Sequence, residues 1–331
     1  MHHAVKVLMF STLLALPPAQ AAAAPAATGD AASYPDKPVT LVVPFPPGGT
    51  SDVLGRQLAQ QLSEELGASF VVNNRAGAAT VIGATYVARA PSDGYTLLLS
   101  SGSTFTTTPH LMTQIPYTLD DFAPIATVAT VPFAFVVKKD FPARTLAEYA
   151  AYAKAHPGKI NNATNGQGSM VHLLGEVVAA GLQVQLTQVH YKGAAPATVD
   201  MIGGVVDSNV EALTSAVPNI KAGQYRALAV LSAERQPLLP DVPTFSELGY
   251  PSVVGETWYG MFAPAGTPDA VVNKLNAALR KVTTSARFTQ AMQAIGNQPR
   301  PSTPAELKEV TLRESQRWGD LIQQLKIQPV Q

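Results

Sequence analysis

Two glycine-rich stretches stand out as places where a backbone could close on a charged ligand. The first is Phe45-Pro46-Pro47-Gly48-Gly49-Thr50-Ser51-Asp52. Glycine lets the chain approach a ligand closely, and the prolines fix the loop before any ligand arrives. A helix pattern follows, so its first N–H groups and positive dipole end face the loop. The second stretch is Asn165-Gly166-Gln167-Gly168-Ser169, which also opens a helix. Loops of this kind suit a small anion. Each has a plain structural reading too: a tight strand-to-helix turn with Asp52 capping, and an ordinary N-cap at Ser169. Two such loops are more telling than either alone.

Enzymatic signatures are missing. The chain has no G-x-S-x-G elbow, no H-E-x-x-H and no Walker lysine loop. Gly166-Gln167-Gly168 lacks the third glycine of a dinucleotide fingerprint. His110, His156, His172 and His190 are scattered, which argues against a metal site. His172, three residues after Ser169, either faces the ligand or belongs to the helix start. Ser169 and His172 are also the one pair near enough in sequence to support the alternative reading, an exported hydrolase. No cofactor is called for, and a binding protein is the expectation.

These loops need elements to hold them. Val39 to Pro44 reads as a buried strand, and Val53, Leu54, Leu58, Leu62 and Leu66 share one helical face. Phe70 to Val72 and Tyr95 to Leu99 read as strands, with a helix over Val81 to Ala90 between them. A second series follows. Strands are expected at Phe133 to Val137, Ile160 to Ala163, Thr187 to Tyr191, Val205 to Val210 and Ala227 to Leu231. Helices are expected at Leu146 to Ala155, Ser169 to Ala180 and Ala195 to Ile202, with Val271 to Thr284 and Pro304 to Leu325 closing the chain. Alternation of this kind predicts an α/β fold with mostly parallel sheets flanked by helices. The second unit looks inserted into the first, which predicts two lobes and a cleft. Ligands in such sheets bind beyond the carboxyl ends of the strands, where the glycine loops fall.

Composition agrees with a large core. Hydrophobic residues make up 46% of the 331 residues and charged residues 14%, against roughly 25% charged in an average globular chain. Lys plus Arg and Asp plus Glu balance at 23 each, so nucleic-acid binding has no electrostatic support. With no cysteine, disulfides, thiol nucleophiles and lipoprotein anchoring drop out. Lys6, the apolar run Val7 to Leu16 and Ala19-Gln20-Ala21 read as a cleavable secretory leader over 1–21, and the destination read from it is the periplasm. Residues 22–33 read as a disordered mature tail. Residues 34–132 with 256–331 form the expected first lobe, and 133–255 the second.

At these loops the sequence resembles the Bug family of periplasmic receptors, associated with tripartite tricarboxylate transporters. The resemblance runs through Tyr34-Pro35-Asp36-Lys37-Pro38, Pro44 to Asp52, Asn74-Arg75-Ala76-Gly77, Ser92-Asp93-Gly94-Tyr95 and Asp121-Phe122-Ala123-Pro124. It continues through Tyr191-Lys192-Gly193, Leu239-Pro240-Asp241-Val242-Pro243-Thr244 and Trp258-Tyr259-Gly260-Met261-Phe262-Ala263-Pro264. It implies a two-domain periplasmic binding protein of the Venus-flytrap, type II-like class. The implied ligand is a carboxylate: a dicarboxylate, an acidic amino acid or an aromatic acid. The implied partner is a tripartite tricarboxylate-type membrane transporter or a sensor kinase, and the receptor is expected to be a monomer. The implied grip adds Ser103 and Thr104 after the third strand, and the Lys192-Gly193-Ala194 turn, to the two glycine loops. Where many members read Thr-His-Ala-x-Asn-Pro, this chain has Thr104-Phe105-Thr106-Thr107-Thr108-Pro109. Phe105 then either edges the cleft and favours an aromatic ligand or packs in the wall. Asn209 and Glu211 stand where Met and Asp are common. Glu211 either meets an amino group of the ligand or is a solvent-facing acid or helix cap. Arg75 reads as structural, while Trp258 and Tyr259 mark a crossing between lobes.

Overall fold

The computed structural model describes residues 33–327. The leader over 1–21 and all but the last residue of the tail over 22–33 lie outside them. The first unit opens with strand β1 (Val39–Val43), helix α1 (Thr50–Leu66), strand β2 (Phe70–Asn74), helix α2 (Val81–Ala88) and strand β3 (Thr96–Ser101). β1 pairs in parallel with both β2 and β3. Its almost wholly apolar sequence fits a central strand covered on both faces. α1 buries Leu54, Leu58 and Leu62, spaced by four, and ends where Gly67 turns left-handed at φ 69°. Two single-turn helices follow, α3 (Ser103–Thr106) and α4 (Thr108–Leu111).

Strand β4 (Phe122–Lys138) then runs for 17 residues. It leads into α5 (Leu146–Ala155), β5 (Asn161–Thr164), α6 (Met170–Leu182), β6 (Thr187–His190), α7 (Ala194–Ile202), β7 (Ser208–Ala212), α8 (Leu213–Lys221) and β8 (Tyr225–Val230). The chain returns through β9 (Glu256–Pro264) and closes with α9 (Asp269–Thr284), α10 (Ala286–Ala294), β10 (Gln298–Pro299) and α11 (Pro304–Gln324).

β4 changes partners along its length. Its first part is antiparallel to β9, down to Pro132 opposite Glu256. From Phe133 onward it is antiparallel to β7, and from Ala134 also to β8. One sheet is therefore ordered β2-β1-β3-β9-β4, and the other runs from β4 through β7 and β5 to β6. The two sheets share a strand instead of being joined by a linker. The fold is the expected α/β, two-lobed one.

Several elements differ from the sequence reading. β4 begins eleven residues before the expected Phe133 start, because Pro124 and Pro132 interrupt the apolar alternation. Register shifts at Pro124/Ala126 and Thr127/Ala129 accommodate the irregular stretch. The crossing expected at Trp258 and Tyr259 lies within a nine-residue strand, β9. α8 was not expected because Pro218 lies inside it. α11 also departs from the expected boundary of the first lobe. Leu307 packs with Phe105, Phe122 and Phe262 of the first unit. Trp318 and Ile322 pack with Phe135, Tyr149 and Leu174 of the second.

Trp318, 1% exposed, is thus the anchor of a strap across both lobes. Trp318→Ala is expected to lower unfolding stability by about 3–5 kcal/mol. Chemical denaturation measures this; a loss under about 1 kcal/mol would contradict the anchoring role.

Candidate functional site

The first glycine loop sits at the carboxyl end of β1 and is braced from below. Asp52 is the centre of the brace. Its carboxylate accepts from the Gly48 N–H at 3.0 Å, from Arg56 Nε at 3.0 Å and from Asn74 Nδ2 at 3.0 Å. Asn74 Nδ2 also donates to the Phe45 carbonyl at 3.1 Å, so both ends of the loop are tied to β2. Burial alone would raise the pKa of this carboxyl, but the bonds from Arg56, Gly48 and Asn74 outweigh it and hold it below the ordinary value. Only 4% exposed, Asp52 positions the loop and offers a ligand little. Pro46, Pro47, Gly48 and Gly49 are exposed, while Phe45 is half-buried. The amides of Thr50 and Ser51 fall in the first turn of α1, where a helix supplies no acceptor. The Ser51 hydroxyl is buried against Tyr259 OH at 2.9 Å, which ties α1 to β9.

The end of β3 lies beside this loop. Gly102 N–H donates to the Trp258 carbonyl at 2.8 Å, and a Cβ on Gly102 would come within 2.6 Å of the Trp258 ring. Ser103 is partly exposed, and its hydroxyl pairs with Ser101 at 2.6 Å. Thr104 points inward. Its hydroxyl meets Ser100 at 2.5 Å and Thr80 at 2.9 Å, and its carbonyl accepts from Tyr117. Phe105, 4% exposed, packs among Tyr117, Phe122 and Phe262. Of its two readings the wall packing holds, and the hint of an aromatic ligand goes with the other. The sequence reading missed the turn Ala78–Thr80 beneath Thr104. Ala78, Ala79 and Thr80 have φ of 44°, 49° and 82°. Left-handed backbone at three side-chain-bearing residues is strained, and such strain collects at functional sites. Only Gly77 in the sequence hinted at it.

In the second unit the loop Asn165 to Ser169 follows β5, and Lys192 to Ala194 follows the adjacent parallel strand β6. The two loops touch: Tyr191 N–H donates to the Thr164 carbonyl, and a Cβ on Gly166 would meet the Tyr191 carbonyl at 3.4 Å. Gly166, Gly168 and Gly193 have φ of 129°, 76° and 109°. Ser169 is the N-cap of α6, accepting from the His172 N–H at 3.2 Å. His172 is 7% exposed, and its Nδ1 accepts from the Gly168 N–H at 3.1 Å. Both ring and hydroxyl are committed to the loop, so Ser169 and His172 form no nucleophile–base pair. Gln167, Lys192 and Ala194 are exposed, and Asn165 is half-buried. Arg75 lies over the Tyr86 ring at 3.6 Å, in keeping with a structural role.

Glu211 is neither solvent-facing nor a cap. It is 4% exposed on β7, where Oε1 accepts from Thr198 of α7 at 3.1 Å and Oε2 has no partner. Burial pushes its pKa up to about 6 against the opposing pull of the neighbouring Ser215 and Thr198 hydroxyls. Among the described residues no cluster of His, Cys, Asp or Glu could hold a metal ion.

The structure thus gathers the predicted residues into two sets. Phe45 to Asp52 and Ser103 lie at strand ends of the first lobe. Asn165 to Ser169 and Lys192 to Ala194 lie at strand ends of the second, with His172 beneath them. Thr104, Phe105 and Glu211 are turned into the protein. A concavity of about 490 Å³ lined by Thr130, Ser232, Glu256, Trp258, Arg300 and Arg313 holds none of the predicted residues.

The chain matches the model of the tripartite tricarboxylate transporter family receptor over residues 54–327. It is similar to the periplasmic binding protein BugD (36% identity, 90% of this chain and 100% of the other, TM-score 0.83). It is similar to a protein of R. palustris solved with adipate (34%, 90% and 100%, TM-score 0.85). It is also similar to MatC from Rhodopseudomonas palustris with bound malate (33%, 87% and 100%, TM-score 0.80).

Asp52→Ala should cost about 1–2 kcal/mol at pH 7, as loss of a helix-start brace does. The carboxyl is held below its ordinary 3.8 in the fold, so its contribution is present above that value and fades as pH falls through the folded one. The stability gap between wild type and Asp52→Ala should therefore narrow in acid. A gap unchanged down to pH 2 would contradict the brace.

Proposed function

The chain belongs to the tripartite tricarboxylate transporter receptor family, whose members are periplasmic solute-binding proteins and not enzymes, and from that premise we propose that it captures a small aliphatic dicarboxylate between its lobes. One carboxylate lies at the start of α1 beside Ser103. The other lies at the starts of α6 and α7. The observation that carries this reading is the pair of glycine loops, each braced from behind and each leaving helix-start amides in front. Phe105 packed away from the surface favours an aliphatic over an aromatic ligand, as do the adipate and malate in similar proteins.

The energetics are adequate without a salt bridge. A hydrogen bond to a charged group contributes about 1.5–3 kcal/mol, and micromolar affinity is about −8 kcal/mol. Four or five amide contacts reach it. With balanced charge overall, attraction must come from these local dipoles. The lobes, 34–132 with most of 256–331, and 133–255, turn about Val131 to Ala134 and Gly255 to Tyr259. The ligand bridges them and favours the closed state. Export through the 1–21 leader brings the receptor to the periplasm as a monomer. There it delivers its ligand to a tripartite tricarboxylate-type transporter, or reports it to a sensor kinase.

A thermal-shift series with adipate, malate, benzoate and the neutral diamide of adipate tests this. Binding raises the melting temperature by mass action, so a dicarboxylate should raise it and the diamide should not. Gly49→Val is the matching variant. Gly49 has φ −84° and ψ 175°, and its added Cβ would find nothing closer than 3.9 Å. The fold should survive, and the new methyl groups should abolish the shift. An equal response to the diamide, or a full response in Gly49→Val, would overturn the reading.

A further inference from the structure

The amides of the second glycine loop are held by two histidines. Gly168 N–H donates to His172 Nδ1 at 3.1 Å. Gly166 N–H donates to the Thr164 hydroxyl at 3.3 Å, and that hydroxyl pairs with His190 Nδ1 at 2.8 Å. The rings of His172 and His190 meet edge to face at 4.8 Å. A backbone N–H can only donate, so Nδ1 of His172 must be bare and the proton must sit on Nε2. The tautomer is therefore fixed by the loop. A second proton on the ring would remove the acceptor and turn two N–H groups toward each other.

From this geometry we infer that His172 is a positioning residue for the anion grip, an acid-sensitive latch whose bare Nδ1 holds Gly168 in place and releases it when the ring is protonated. The inference rests on the reading of the Gly166–Ser169 loop as part of the ligand grip. The left-handed φ of 76° at Gly168 is a conformation that a single bond helps to select. Without the latch, the first turn of α6 loses its fixed approach to the cleft.

The surroundings keep the ring neutral. β6 contributes His190, edge-on, which disfavours a second positive charge. α6 contributes Glu176, whose Oε1, 3.7 Å from Nε2, is the one group among the described residues here that would favour the charged ring; burial raises its own pKa. β5 presents Asn162 and Thr164, neither titratable. The one acid of β7, Glu211, bonds to Thr198 of α7. Tyr191, after β6, bonds to Asp200 at 2.7 Å. Burial first, and His190 second, lower the His172 pKa to about 4. The latch is thus closed at neutral pH and opens only in strong acid. Because the folded value lies below the ordinary 6.5, the unfolded chain binds the extra proton between the two, and stability is lost as pH is lowered through that window.

Nitrogen-15 NMR of the histidine rings tests the latch without any ligand. His172 should show a bare Nδ1 and a protonated Nε2 at pH 7, and it should remain so at pH 5. Titration near 6.5, or a protonated Nδ1 at pH 7, would overturn the inference whatever the protein binds. Adipate affinity by calorimetry supplies the second arm. His172→Asn places a non-titrating oxygen where Nδ1 sits and should keep the pH 7 affinity. His172→Ala should weaken it about tenfold, the worth of one hydrogen bond. The ratio of wild-type to His172→Asn affinity cancels the titration of adipate itself and should fall as pH passes through about 4. Wild-type affinity in His172→Ala, or a ratio flat down to pH 3.5, would overturn the latch. Absence of carboxylate binding in the wild type would refute the capture reading, and the inference with it, even with the ring nitrogens as expected.

Discussion

Between Pro132 and Phe133, β4 exchanges one set of hydrogen-bond partners for another. Before that point its neighbours are β9 and the short β10; beyond it, β7 and β8. Because a single strand serves both sheets, the two lobes cannot slide past each other without breaking ladder bonds. The closure proposed above is accordingly a rotation about the crossing, which leaves the ladders intact. β9 crosses beside β4, and α11 spans both lobes with Leu307 in one core and Trp318 in another. Cross-lobe bonds such as Thr214 to Asn297 at 2.9 Å and Gln298 to Gln236 at 3.2 Å sit near the same axis. In that proposed closure the loops at the carboxyl ends of β1, β5 and β6 approach one another.

The same economy governs the polar groups. Three polar side chains near the loops are turned to the backbone. Asp52 holds Gly48, Asn74 holds Phe45, and His172 holds Gly168. The Arg56 guanidinium is taken up by Asp52. The loops themselves present amides, with Gln167 and Lys192 as exposed side chains of the second lobe. An anion met by amides alone is held by dipoles fixed in direction, which favours a ligand of definite length and carboxylate geometry over any negative charge.

Much of this was legible in the sequence, for local reasons. Helix α5 was read over Leu146 to Ala155 as it stands in the structure, because Thr145 caps it and its apolar spacing is regular. The two glycine loops announced themselves through residues that few other structures require. Side-chain direction was not legible. Thr104 and Phe105 follow the third strand as Ser103 does, yet a single helical turn rotates them into the core. Glu211 reads as a ligand contact, a solvent-facing acid or a helix cap, but it is buried in β7 and bonded to Thr198 of α7. The long reach of β4 was hidden by prolines, and the double attachment of α11 by the distance in sequence between its partners. The left-handed turn at Ala78–Thr80 had no signal beyond Gly77, since alanine and threonine do not advertise that conformation.

The central claim is that one ligand is met by amides from both lobes at once. Amide proton–nitrogen NMR of the mature protein, titrated with a dicarboxylate that raises its melting temperature, tests this most directly. The account expects the amides of Gly49 to Ser51 and of Met170, Val171 and Ala195 to move along one binding curve, at one ligand concentration. Movement confined to one lobe, or two curves with separate midpoints, would contradict it.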